Sequence, residues 1–109
     1  MSILNKSSGR LIISMSKLDK QEWKTIEEVG EKGLKIIIHL ANKDRAKLSD
    51  FKIELNMGSA AVYKAIHTLS KYGIIDETTS GPARYFTLTE KGKRVAELIF
   101  KIEELLENP

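Results

Sequence analysis

The stretch from Ser49 to Tyr72 most constrains what this chain can fold into. Two segments with helical apolar spacing are parted by three residues, Asn56-Met57-Gly58, whose Asn and Gly break a helix. In the first segment Phe51 and Leu55 stand four apart, and Leu48 and Ile53 add to the apolar side. In the second, Val62, Ala65, Ile66 and Leu69 recur at i, i+3, i+4 and i+7. Ser49 reads as the N-cap of the first helix, with Asp50 in its first turn, where a negative charge suits the helix dipole. Ser59 reads as the N-cap of the second, which runs to Tyr72, and Gly73 as its stop. Two short helices on so tight a turn bury their apolar sides together only by crossing steeply.

The flanks extend this pattern. Ile74–Thr79 reads as a strand, Ser80-Gly81-Pro82-Ala83 as a turn, and Arg84–Leu88 as a second strand with alternating polarity. Together they predict a hairpin. Thr89 then caps a last helix from Glu90 to about Glu107. Upstream, Asp19 and Glu22 make a capping-box pair before Trp23, Ile26 and Val29 at helical spacing. Gly30 and Gly33 either end or kink that helix. The Ile36–Ile38 triplet also suits a buried strand, but Leu34, Ile37, Ile38 and Ala41 fit one helix face. Asn42-Lys43-Asp44 reads as the turn that follows.

Residues 1–17 read as a poorly ordered tail, with Leu11–Ile13 as an edge strand at most and Met15 as an alternative start. Residues 18–89 form the expected domain, and 90–109 a C-terminal dimerisation helix. The expected class is mainly α with a small β-hairpin, or α+β.

Composition excludes several functions. The chain has 109 residues and no cysteine, so disulfides, thiolate metal sites and cysteine nucleophiles are ruled out together. The two histidines, His39 and His67, lie far apart, and no Gly-rich phosphate loop follows a strand. The expectation is no enzyme, no metal and no cofactor. No apolar run approaches the roughly 20 residues of a membrane span. The start lacks the basic-then-apolar order of a signal peptide, so the expected location is the cytoplasm. Net charge is +3, and residues 34–88 hold eight Lys/Arg against five Asp/Glu. The last 21 residues are slightly acidic, with four basic against five acidic. A basic middle favours nucleic acid as partner.

The run "AKLSDFKIELNMGSAAVYKAIHTLSKYGII" (46–75) resembles the helix-turn-helix of MarR-type and ArsR-type transcriptional regulators. The segment "YFTLTEKGK" (85–93) resembles the junction of wing strand and following helix in those proteins. The resemblance spans roughly positions 26–100 and implies a winged helix-turn-helix that binds double-stranded DNA. It places helix 59–72 in the major groove and wing 80–84 near the minor groove.

The residues themselves fit that use. Gly58, Ser59, Ala60 and Ala61 are small, which lets the helix backbone approach the bases. Tyr63, Lys64, His67 and Lys71 lie away from the apolar face and are candidate DNA contacts. Arg84 matches the basic wing residue of the family, while Lys47 and Lys52 suit flanking phosphates. Competing readings stay open: Tyr63 packs on the wing, or Arg84 pairs with Glu77 across the hairpin. His39 and Trp23 read as structural.

In the last helix Val95, Leu98, Ile102 and Leu105 step by three, four and three, and Ile99 and Leu106 widen the stripe. A stripe reaching so far past the hairpin predicts a homodimer contact rather than packing on one small domain. No residue identifies a small-molecule effector. The alternatives to a regulator are a winged-helix protein–protein module and a non-specific chromatin-associated DNA binder.

Overall fold

The computed structural model describes residues 23–108. The 1–17 tail, the Leu11–Ile13 segment and the Asp19–Glu22 capping box lie outside the described residues. Within them the order is α1 (Lys24–Lys43), β1 (Arg45–Ala46), α2 (Leu48–Glu54), α3 (Ser59–Lys71), β2 (Ile75–Ser80), β3 (Ala83–Leu88) and α4 (Glu90–Glu107). The strands form one antiparallel sheet in the order β1-β3-β2.

α1 joins both expected upstream helices across a kink. Gly30 has φ 63° and ψ −176°, a conformation essentially confined to glycine. Gly33 stays helical and buried. The helix runs on through Asn42 and Lys43, so the expected turn reduces to Asp44, whose φ of 69° stops the helix. Arg45 and Ala46 then pair with Thr87 and Phe86 as β1. Sequence periodicity gave no sign of this two-residue strand.

The caps shift by one or two residues. α2 starts at Leu48 after Lys47, not after Ser49. The Asp50 carboxylate at the third helical position accepts from the Lys47 backbone N–H at 2.9 Å, which fixes the earlier start. α3 is preceded by Gly58, and Ser59 is its first helical residue rather than its cap. Its far end closes as a Schellman turn: Gly73 takes φ 71°, and the Gly73 and Ile74 N–H groups donate to the carbonyls of Ser70 and Leu69. The predicted cap of α4 is present. Thr89 Oγ1 accepts from the Gly92 N–H at 2.9 Å and donates to the Gly73 carbonyl at 2.6 Å.

The core sits between α1, α3 and the inner sheet face. Ile36, Ile37 and Leu40 meet Val62, Ala65, Ile66 and Leu69, with Phe51, Phe86, Ile74 and Ile75 closing the ends. The Phe51 and Phe86 rings meet at a tilt of 46°, with 6.2 Å between centroids. His39 belongs to this fabric: its ring edge meets Phe51 at 5.7 Å, and its Nε2 lies 3.5 Å from Glu54 Oε1. Ile53 does not join the core. It is 78% exposed, because the face set by Phe51 and Leu55 turns it outward. Leu34 stands at the exposed edge of α1.

α4 packs on the core only through its first half, by Gly92, Val95, Ala96 and Ile99. Every residue from Phe100 to Asn108 is exposed. At 1.5 Å per residue the free end of the helix projects about 12 Å.

Candidate nucleic-acid interface

The outward face of α3 follows from its inward one. With Val62, Ala65, Ile66 and Leu69 buried, the 100° step per residue turns Ala60, Lys64 and His67 to the opposite side, and all three are exposed. Tyr63 flanks them, 55% exposed. At the leading end of α3 no side chain caps the first amides and no acid stands in the first turn. α2 and α4 carry Asp50 and Glu90 in that place. The start of α3 therefore presents open N–H groups and uncompensated positive dipole, which suits a phosphate.

The hairpin register sets what the wing adds. Arg84 pairs with Thr79 and Phe86 with Glu77, so Arg84, Glu77 and Thr79 share the sheet face that carries buried Phe86. The Arg84 pKa is raised, first by its bond to Glu77 and least by the charge of Tyr63. Arg84 Nε donates to Glu77 Oε2, and this bond holds the Glu77 carboxyl below the usual carboxylate range. The cross-strand ion pair anticipated for Arg84 is thus formed. The opposite sheet face carries a contact that sequence reasoning missed. The Arg45 guanidinium lies 4.1 Å from the centroid of the Tyr85 ring. The signal was hidden because β1 is too short to show a period.

Lys71 is placed differently from the other basic residues of α3. Its ammonium is bonded to Glu28 on α1. Tyr72 donates its hydroxyl to the other oxygen of that carboxylate at 2.6 Å. The Lys71 bond first, then that of Tyr72, lowers the Glu28 pKa, and the same bond raises that of Lys71. Lys47 and Lys52 are exposed at the two ends of α2, at the flank of the assembly.

Among the described residues no group of three or more His, Cys, Asp or Glu gathers as a metal site. No helix among them is long and apolar enough to cross a membrane. Of the predicted dimer stripe, Val95 and Ile99 are half-buried on their own core, whereas Leu98, Ile102, Leu105 and Leu106 are exposed.

A helix-turn-helix followed by a two-stranded wing, with a third short strand before it, defines a winged-helix protein. The sequence matches no protein-family model and no curated protein. The fold does match solved structures. A protein from Archaeoglobus fulgidus aligns with TM-score 0.67 and 20% identity, over 73% of this chain and 92% of that one. The adhesin competence repressor of Streptococcus pyogenes aligns with TM-score 0.62 and 25% identity, over 97% of this chain and 77% of that one. A Listeria monocytogenes protein described as a MarR-family transcriptional regulator, solved with a 26mer DNA, aligns with TM-score 0.65 and 17% identity. That match covers 89% of this chain and 66% of the Listeria chain. Further matches include a transcriptional repressor from Xylella fastidiosa and a transcriptional regulator from B. subtilis, each 14% identical.

Proposed function

We propose that this chain is a sequence-specific, double-stranded-DNA-binding transcriptional regulator. The observation that carries the proposal joins α3 and the wing. Ala60, Lys64 and His67 face outward on α3, and the exposed Arg84 on the wing is electrostatically coupled to Tyr63 of that helix. In this reading the first half of α3 enters the major groove, with Ser59 and the open amides on a phosphate. Arg84 reaches toward the adjacent minor groove, and Lys47 and Lys52 meet flanking phosphates. The small side chains at Ala60 and Ala61 favour close backbone approach and readout of DNA shape over a dense base code. The Listeria neighbour bound to DNA supports the assignment.

The exposed half of the α4 stripe supports a homodimer. Two copies would set their α3 helices for successive major grooves, about 34 Å apart along the duplex. The test is selection of genomic fragments by the purified protein, followed by footprinting. The expected outcome is a recurrent, two-fold related site protected on one side of the helix. Retention of fragments without any shared sequence would remove the sequence-specific part of the proposal.

A further inference from the structure

The wing arginine is not a free cation. Glu77 is its diagonal neighbour on the same sheet face and takes its Nε. A guanidinium carries five N–H donors. The Nε contact uses one and leaves both Nη groups without a protein partner among the described residues. Those two groups form the fork that binds a phosphate or a guanine edge at two points. Both side chains are well exposed, so their ion pair contributes little to the fold. On a surface that meets phosphates an acid is also a local repulsion. Stability and bulk charge thus give the chain no reason to keep Glu77 there, but geometry does. An unheld arginine on an exposed strand samples many rotamers, and ordering it costs free energy on binding. A carboxylate on Nε orders it beforehand and leaves the Nη fork unoccupied.

We propose that Glu77 is a positioning residue for Arg84: it fixes the Nε so that the Nη fork is presented to DNA, and so sets sequence preference at the wing. This rests on the DNA-binding reading of the α3 and wing face.

The test compares wild type, Glu77→Gln, Glu77→Ala, Arg84→Ala and the Glu77→Ala/Arg84→Ala double variant. Each is titrated with a duplex selected by the wild type from genomic fragments, and with a scrambled duplex of equal length. Loss of the carboxylate charge strengthens binding of both duplexes by both Glu77 variants. The ratio of the two affinities separates position from charge. Glu77→Gln keeps an oxygen that accepts from Nε, and holds the wild-type ratio. Glu77→Ala lowers the ratio by roughly fivefold, the lower end of what a two-point base contact contributes. In the Arg84→Ala background the same change leaves the ratio unmoved. A wild-type ratio in Glu77→Ala overturns the proposal, as does a loss that persists without Arg84. A wild type that binds no duplex overturns the DNA-binding reading as well.

Discussion

Lys71, the last residue of α3, gives its ammonium to Glu28, which precedes it by 43 residues and lies on α1 just before the Gly30 kink. The two ends of α3 therefore differ in kind. Its first half is open and uncompensated. Its last turn is tied to the scaffold by Lys71 and Tyr72, both bonded to one carboxylate.

That difference predicts unequal roles for two lysines on one helix. Lys64→Ala removes an unpaired charge from the proposed DNA face, and the slope of log affinity against log salt should fall by about 0.9. Lys71→Ala removes a charge that Glu28 already balances, and the slope changes by clearly less. Equal slopes for the two variants would mean that Lys71 leaves Glu28 for the DNA.

The same carboxylate predicts an acid dependence of stability. The folded Glu28 carboxyl has a lowered pKa, so folding favours its charged form. Its contribution is complete above the ordinary carboxylate range and is lost as pH falls through the lowered folded value. Lys71 has the opposite sign: its raised pKa contributes below the ordinary lysine range and is lost as pH rises through the raised value. Urea unfolding of wild type and Glu28→Gln should therefore differ at neutral pH and converge on acidification. A difference that stays constant through the acid range contradicts this.

How far the sequence revealed these features depended on their range. The break at Asn56–Gly58, the apolar face of α3 and the hairpin turn are local patterns, and each appears where its spacing placed it. Thr89 was readable as a cap because its partner, Gly92, lies three residues away. Ser49 and Ser59 misled because a cap depends on which neighbour satisfies the amides. Asp50 did so for Lys47, and α3 uses Gly58 with no side-chain cap at all. The Lys71–Glu28 and Arg45–Tyr85 contacts join distant positions, so no periodicity marks them. The last helix was half legible: its stripe is present, but Val95 and Ile99 serve their own core and leave Leu98, Ile102, Leu105 and Leu106 outside.

Two glycines test the backbone account. Gly30→Ala forces a side chain into a conformation reserved for glycine and should cost about 1–3 kcal/mol. A Cβ at Gly92 would lie 2.1 Å from the Ile74 carbonyl oxygen, so α4 must shift. Gly92→Ala should cost about 1–3 kcal/mol, measured by denaturant unfolding. A neutral result at Gly92 would mean that α4 is not seated against the start of β2 as described.

The split of the α4 stripe separates assembly from folding. Leu98→Glu with Ile102→Glu alters two exposed positions, and should leave the helical circular dichroism intact while sedimentation shifts from dimer to monomer. Unchanged sedimentation would remove the α4 contact as the dimer interface.

The central claim is that the outward face of α3 and the wing arginine together bind DNA. Its most direct test is duplex binding across a salt series by wild type and by the Lys64→Ala/Arg84→Ala variant. The account predicts salt-dependent binding by the wild type and a loss of at least about tenfold in the variant, from two phosphate or base contacts removed. Equal affinity of the two proteins at every salt concentration would contradict it.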